Sequence, residues 1–234
     1  MTFNEYVKSA KKGNGAIITI APSWDILPKQ VKEKYKSCGA AFFAFYKVLL
    51  DSVNADSTAV LFDVPSFEAY GIEGYVLLKA VSDYSQNLGM VTIADASRAV
   101  KNAAEISKLA KAWLSDNDLS FSCDALSFAT DGLSDELLEK IGSEVARNNG
   151  GAFVTDISVI EKISDENCGV ILRGSCREIL KALEGRDSIL SLAVPTAFES
   201  EEELRDVSEK ATLIAAPDSV VTPGAFYNFK ELLD

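Results

Sequence analysis

Hydrophobic residues recur along the chain in short, nearly unbroken runs that are rich in β-branched side chains. Runs of this kind are typical of parallel strands that are covered on both faces. Eight of them are predicted as strands: AIITIA (16–21), AVLFDV (59–64), MVTIAD (90–95), CDALSF (123–128), GAFVTD (151–156), CGVILR (168–173), SILSLAV (188–194) and ATLIAA (211–216).

The longer stretches between these runs carry helical spacing and helix boundary signals. One apolar face continues through FEAYGIEGYVLLKAVSDYSQNLG (67–89), and Gly89 stands where that helix would end. Ser134 is placed to cap the helix after the fourth run, and Ser200 with Glu203 predicts a capping box after the seventh. Strand and helix therefore alternate along the chain.

Eight strand-and-helix units predict a single domain over residues 1–234 with the (βα)8 TIM-barrel fold, an α/β architecture. An open, doubly wound sheet is the alternative, but such sheets usually have fewer strands and a glycine-rich first turn. The first turn here is APSWDILP (21–28), which has no G-x-G-x-x-G pattern. The closed barrel is therefore the better prediction.

Charge and hydropathy narrow the classes of partner. The formal net charge is −12 and Lys and Arg form no basic run, so a nucleic-acid or anionic-membrane surface is not expected. The longest apolar run, CGAAFFAF (38–45), is too short to span a bilayer, and residues 1–15 lack an apolar signal core. We therefore expect a cytoplasmic protein.

The cysteine and histidine content limits the chemistry. Cys38, Cys123, Cys168 and Cys176 form no C-x-x-C pair and are expected to be reduced small hydrophobes rather than a metal site or a disulfide. The chain has no histidine, which removes the commonest general base and the Ser-His and Cys-His nucleophile pairs. No metal and no cofactor are expected.

In a TIM barrel the chemistry lies at the C-terminal ends of the strands. The polar residues predicted there include Asp95 and Ser97 after the third strand and the ligand-binding candidates Asp63, Arg98, Ser127, Asp156 and Arg173.

Phosphate groups in such barrels are usually held after strands seven and eight. Here those loops are VPTAFESEEEL (194–204), which is acidic, and APDSVVTPG (216–224), which puts Asp218 where a positive group would help. A phosphorylated ligand is therefore disfavoured at this corner, although a helix that starts near Ser200 could still offer backbone N–H groups.

Two stretches, VLFDVPSFEAYGIEG (60–74) and DASRAV (95–100), carry a family resemblance. The first is similar to V-K-P-Q-x-A-F-F-E-x-x-G-x-x-G and the second to the strand end D-A-K-R-G-D of the orotidine 5′-phosphate decarboxylase family, in particular its second bacterial branch. A fainter likeness continues in APSWDILP (21–28), FYKVLLDSV (45–53) and CDALSF (123–128). The resemblance implies a barrel as well.

The resemblance also implies which positions would carry catalysis. The family uses a Lys-Asp-Lys-Asp array, in which the central lysine protonates the substrate carbon as carbon dioxide leaves and the last aspartate comes from the partner subunit of a homodimer. On this chain the two lysines fall at Leu61 and Ser97, the first aspartate at Asp95 and the second at Val100. Only Asp95 keeps its charge.

Loss of the central lysine would remove the proton donor. The Ser97 hydroxyl has no positive charge and no proton at a useful pKa, and one lost preorganised charge costs about 3–4 kcal/mol of transition-state stabilisation. Lys101 and Arg98 lie close in sequence, and either could swing inward as a replacement. Purely structural roles stay open for Asp95 as a helix cap, Ser97 as a helix N-terminal residue and Arg98 as a surface or interface ion-pair partner.

The leading functional hypothesis is a decarboxylase-like barrel that has lost decarboxylation and works as a noncatalytic binding or assembly protein, with a small molecule at the barrel mouth. A second is a barrel enzyme that uses Asp95 with Asp63 or Asp156 on an unphosphorylated ligand, which could be cationic. A mouth plugged by Leu61, Phe62 and Val100 would count against it. A third is a working orotidine 5′-phosphate decarboxylase with displaced residues, which a lysine ammonium beside Asp95 would favour.

Overall fold

The computed structural model describes residues 1–115, 120–163, 166–198, 200–217 and 222–233. Eight parallel strands close into a barrel in chain order, which confirms the predicted TIM barrel. The strands are β1 Ala16–Ile20, β2 Ala59–Asp63, β3 Val91–Ala99, β4 Ala125–Ala129, β5 Gly151–Val154, β6 Cys168–Ser175, β7 Ser191–Ala197 and β8 Leu213–Ala215. Each of the eight predicted strands is present, with its ends shifted by a few residues.

Helices surround the barrel. In the described residues they are α1 Phe3–Ala10, α2 Lys29–Lys34, α3 Cys38–Val53, α4 Val64–Glu68, α5 Gly71–Asn87, α6 Ala103–Leu114, α7 Asp135–Arg147, α8 Cys176–Leu183, α9 Glu201–Lys210 and α10 Pro223–Leu233. A short 3-10 helix, Ile157–Lys162, takes the place of an α-helix after β5. None of the helices in the described part of the chain is long and apolar enough to cross a lipid bilayer.

The strands are apolar on both faces because each face packs against a different layer. One face fills the barrel interior, where Leu61, Ile93, Phe153 and Ile171 belong to a single buried cluster. The other face packs under the helices, and Phe62 belongs to this larger outer cluster. Successive residues of a strand therefore alternate between the interior and the helical layer.

Helix α1 closes the N-terminal end of the barrel. Phe3 is buried and packs edge-on against Phe153 of β5, with ring centroids 6.0 Å apart. The helix is fixed by a capping box, because Thr2 accepts from the Glu5 backbone N–H and the Glu5 carboxylate accepts from the Thr2 backbone N–H. Gly151 gives Phe3 its room, since a Cβ there would lie 2.1 Å from the Phe3 ring.

The chain after Asp95 differs from the prediction. A helix was expected to follow directly, but β3 continues to Ala99 and α6 begins at Ala103, capped by Asn102, which accepts from the Glu105 backbone N–H at 3.0 Å. Polar side chains do not end β3, because its backbone resumes pairing with β4 after a register shift between Ala94 and Arg98. The roles of Asp95 as a helix cap and Ser97 as a helix N-terminal residue are therefore wrong.

The predicted helix over 67–89 is divided into α4 and α5. Gly71 has φ +58°, which breaks the helix, and a Cβ on Gly74 would lie 1.8 Å from the Phe67 carbonyl oxygen, so the two helices can approach there only with glycine. Gly89 follows α5 with φ +75°, as a helix-ending glycine does.

Two further local predictions have different outcomes. Ser200 caps α9 by accepting from the Glu203 backbone N–H, which confirms that half of the capping box. Ser134 precedes α7, but its side chain makes no capping hydrogen bond, so that prediction is wrong in its chemistry. All four cysteines are free thiols, and Cys123 and Cys168 are buried as expected.

Candidate functional site at the barrel mouth

The strand alternation sets a polar layer above the apolar interior. Leu61, Ile93 and Ile171 point into the barrel, so the residues two positions further along, Asp63, Asp95 and Arg173, share that face. Asp63 and Asp95 are register partners at the ends of β2 and β3. The strands thus deliver two carboxylates and one guanidinium to the C-terminal end, where barrels keep their chemistry.

Asp95 is the centre of a hydrogen-bonded cluster. Its residue is only 8% exposed. The Ser97 and Ser127 hydroxyls each donate to Asp95 Oδ1 at 2.9 Å, and the Arg173 guanidinium forms an ion pair with Oδ2. A nearly buried carboxylate needs such partners, and here both oxygens have them.

Ser97 reaches this position through an unusual backbone. Its φ is +41°, in the left-handed region that non-glycine residues rarely occupy. The conformation coincides with the β3–β4 register shift and lets the Ser97 N–H donate to Ser127 Oγ at 2.6 Å. Ser127, which is fully buried, therefore accepts from Ser97 and donates to Asp95.

The ion pair crosses the barrel mouth. Asp95 lies on β3 and Arg173 on β6, three strands away around an eight-stranded barrel. Above the pair is a cavity of about 470 Å³. It is lined by Asp63, Pro65, Asp95, Ala96, Ser97, Thr155, Ile171 and Arg173. The cavity mixes charged groups, hydroxyls and a small apolar floor, a lining suited to a small polar ligand.

The described groups around Asp95 do not include an evident proton donor for catalysis. The guanidinium of Arg173 keeps its protons throughout the accessible pH range, so it can bind charge but cannot act as a general acid. Among the described residues, no lysine ammonium lies within ion-pair distance of Asp95. In the same part of the chain, no group of three His, Cys, Asp or Glu side chains is arranged to hold a metal ion.

Three predicted ligand-binding residues, Arg98, Ser127 and Asp156, lie outside the cavity lining. Arg98 forms an ion pair with Glu68, whose carboxylate also accepts from the Tyr75 hydroxyl at 2.6 Å, so Arg98 is the surface ion-pair partner that was considered. Asp156 caps the short 3-10 helix by accepting from the Ser158 backbone N–H at 2.8 Å. The exposed side chain of Lys101 does not contact Asp95.

Asp63 has a structural role and also lines the cavity. Its Oδ2 accepts from the Ser66 backbone N–H and hydroxyl and so caps α4. Asp218 and Ser219, which the sequence places after β8, lie outside the described residues.

The sequence is enough to place both members of the central ion pair on the inner face, because Asp95 and Arg173 each follow an inward-facing isoleucine by two positions. Their direct contact has no such local signal. The contribution of Ser97 was missed for another reason: no sequence feature reveals its positive φ.

Comparisons with known proteins bear on both sequence and fold. No protein-family profile matches the chain. It is 30% identical over 96 residues to an orotidine 5′-phosphate decarboxylase of Petrotoga mobilis, a match that covers 41% of this chain but 32% of that protein, so it spans about one third of the relative's length.

Solved structures agree over nearly the whole barrel. The Leishmania donovani UMP synthase has a TM-score of 0.75 at 15% identity, covering 99% of this chain and 56% of that one. The Plasmodium berghei orotidine 5′-monophosphate decarboxylase has a TM-score of 0.73 at 13% identity, covering 99% and 97%. The chain therefore has the barrel fold of these decarboxylase structures and is similar in sequence, over 96 residues, to one orotidine 5′-phosphate decarboxylase.

The decarboxylase resemblance places its charged array on residues that the structure now locates. Leu61 is buried in the barrel interior, one layer below Asp63, and Val100 is buried in the outer cluster under the helices. Neither side chain plugs the mouth. Ser97 does face Asp95, at hydrogen-bond distance, but contributes only a hydroxyl. The assignment of these positions to the decarboxylase array stays a prediction, as does the bacterial branch.

Proposed function

We propose that this chain is a divergent member of the orotidine 5′-phosphate decarboxylase family that binds a small polar molecule at the barrel mouth and does not decarboxylate orotidine 5′-phosphate. The observation that carries the proposal is the ion pair of Asp95 with Arg173. The surviving family aspartate faces an arginine and two serine hydroxyls, where the family resemblance calls for a lysine.

Decarboxylation of orotidine 5′-phosphate requires a general acid, because a proton must replace the carbon dioxide that leaves. A serine hydroxyl has a pKa far above the roughly 10 of a lysine, and an arginine guanidinium also stays protonated in proteins, so neither supplies a general acid. One lost electrostatic donor costs about 3–4 kcal/mol, which is about a hundred- to a thousandfold in rate. Loss of several such groups removes most of an enzyme-like rate.

The test is a direct assay of orotidine 5′-phosphate conversion to UMP, with the Petrotoga mobilis relative measured in parallel as the reference. We expect no conversion above the uncatalysed rate. Turnover approaching that of the reference would overturn the proposal, provided that an Asp95→Asn variant loses it, since that control ties the activity to this site.

An enzyme with an unphosphorylated substrate is the second candidate. It is favoured by the register pairing of Asp63 with Asp95, which puts two carboxylates in one open cavity. Asp156 does not support it, because its carboxylate caps a helix outside the lining. Consumption of a compound from a metabolite extract by the wild type, but not by an Asp63→Asn variant, would favour this enzyme over a binding protein.

The proposal includes a homodimer in the cytoplasm, which the family resemblance suggests. Sedimentation at micromolar protein concentration measures the oligomeric state, and a fluorescent fusion in cells reports the location of the protein. An assembly role without a ligand predicts association with no response to small molecules.

A further inference from the structure

We infer that the ligand of the mouth cavity is unphosphorylated and presents a cationic or hydrogen-bond-donating group to Asp63. The inference rests on the proposed binding function and adds the chemical class of the ligand. It follows from three features of the mouth: the loops that would hold a phosphate, the ion pairing of Arg173, which is the one cation among the described lining residues, and the orientation of the Asp63 side chain.

The side of the mouth formed by β7 and β8 is unsuited to a phosphate. The sequence has no Lys or Arg at 188–204 or at 211–229. Helix α9, which follows β7, begins with Glu201, Glu202 and Glu203, and Ser200 already takes the Glu203 N–H. Three carboxylates at that helix start repel a dianion and cancel the attraction of the backbone dipole.

The cation in the lining is already neutralised. Arg173 is the guanidinium partner of Asp95, so a phosphate that binds Arg173 must compete with a nearly buried carboxylate held by two further hydrogen bonds. Displacing it leaves the Asp95 charge with hydroxyl donors alone, which is unfavourable in a site removed from water.

Asp63 supplies the attraction for the opposite charge. Its Oδ2 is engaged by Ser66, while Oδ1 accepts no hydrogen bond from any residue that the structure describes. The carboxylate lines the cavity and is fixed by its capping role, so it is preorganised to receive an ammonium or an N–H group.

The experiment compares three probes that share one nucleoside and differ in charge: UMP, uridine and 5′-amino-5′-deoxyuridine. Their dissociation constants for the full chain are measured by titration calorimetry or ligand-observed NMR. We expect the amine to bind tightest and UMP weakest, with about tenfold or more between them, since one favourable charge contact is worth at least that factor.

Two variants locate the effect. Asp63→Asn keeps the α4 cap, because asparagine caps helices as well as aspartate does, and should weaken amine binding about tenfold while sparing uridine. Asp156→Asn makes the same change at a capping carboxylate outside the cavity and should leave all three probes unchanged.

UMP binding tighter than uridine would overturn the inference even if the protein has no decarboxylase activity, so the two proposals fail separately. Amine binding that is unaffected by Asp63→Asn overturns it too. Failure of all three probes to bind at 10 mM, about a hundred times weaker than a modest site, also counts against a ligand of this class.

Discussion

Arg173 and Asp95 meet across the barrel mouth although 78 positions separate them in the chain. The pair neutralises the aspartate that the family resemblance maps to a catalytic position, and it lies over the apolar interior. Because Asp95 is nearly buried, its charge depends on this partner and on two serine hydroxyls. The pair is therefore a structural element as well as part of the candidate site.

Replacement of Arg173 by methionine keeps much of the side-chain volume and removes the charge. We expect the free energy of unfolding to fall by about 1–3 kcal/mol, because the nearly buried Asp95 carboxylate is then left with hydroxyl donors alone. Urea denaturation at pH 7 measures the change. The Arg173→Met, Asp95→Asn double variant should lose less than the sum of the single variants, since neither charge is left without the other.

The matched control is Lys101→Met, which removes a positive charge from an exposed side chain just after β3, the strand that carries Asp95. A change within about 0.5 kcal/mol is expected there. Equal losses for Arg173→Met and Lys101→Met would mean that the ion pair contributes nothing beyond net charge.

Ser97 should respond differently to glycine and alanine. Both substitutions remove the hydroxyl that donates to Asp95, but only glycine relieves the positive φ. We expect Ser97→Gly to be more stable than Ser97→Ala by about 0.5–1 kcal/mol, after the larger unfolded-state entropy of glycine is included. Thermal and urea unfolding of the two variants measure the difference.

Ser127 provides the comparison. It donates to the same Asp95 oxygen from within β4, where glycine weakens a strand. There the order should reverse, with Ser127→Ala the more stable variant. If alanine were the more stable variant at both positions, the Ser97 backbone would not be strained.

The fold was predictable because its main signal is local. Every strand carries a run of apolar residues that two layers bury, and eight such runs alternate with helices. The end of β3 was not, because Asp95, Ser97 and Arg98 read as the start of a loop or helix. Backbone pairing with β4 continues there despite the polar side chains, and only the three-dimensional neighbour supplies that information.

The site was predictable in its members and not in their contacts. Period-two alternation from Ile93 and Ile171 is enough to place Asp95 and Arg173 on the inner face. Their contact depends on the reach of an arginine across three strands, which no local pattern encodes. The contact of Asp156 is equally non-obvious from the sequence, since this carboxylate at a strand end caps the 3-10 helix Ile157–Lys162.

Phe3 and Gly151 should show a coupled effect on stability. Gly151→Ala places a methyl group 2.1 Å from the Phe3 ring and should cost about 1–3 kcal/mol, while Phe3→Ala should cost about 3 kcal/mol. In the double variant the methyl group fills space that the ring has left, so the loss should be at least 0.5 kcal/mol smaller than the sum.

Gly224→Ala is the control for this cycle. A Cβ there meets no atom within 4 Å, so its effect should add to that of Phe3→Ala. Additivity at Gly151 as well would mean that α1 does not pack as described.

Asp124 should make stability fall as pH rises. Burial raises its pKa above the ordinary 3.8, although hydrogen bonds from the Thr92 N–H and hydroxyl, both at 2.7 Å, work in the opposite direction. Between 3.8 and the raised value the folded state holds more protons than the unfolded state. The stabilisation is therefore complete below pH 3.8 and is lost as pH rises through the folded pKa.

Comparison of Asp124→Asn with Glu144→Gln isolates this contribution from the other titrating groups. The hydrogen bond from Lys140 lowers the pKa of Glu144, so its stabilisation is present above the ordinary 4.5 and is lost as pH falls through the folded pKa. The free energy of unfolding of Asp124→Asn, taken relative to wild type, should rise as the pH rises. That of Glu144→Gln, taken relative to wild type, should fall as the pH rises. Urea denaturation of the three proteins from pH 2.5 to 7 measures both slopes, because the window of Glu144 lies below pH 4.5 and that of Asp124 above pH 3.8. Slopes of the same sign would show that burial does not dominate at Asp124, and that its Thr92 hydrogen bonds hold the carboxylate ionised instead.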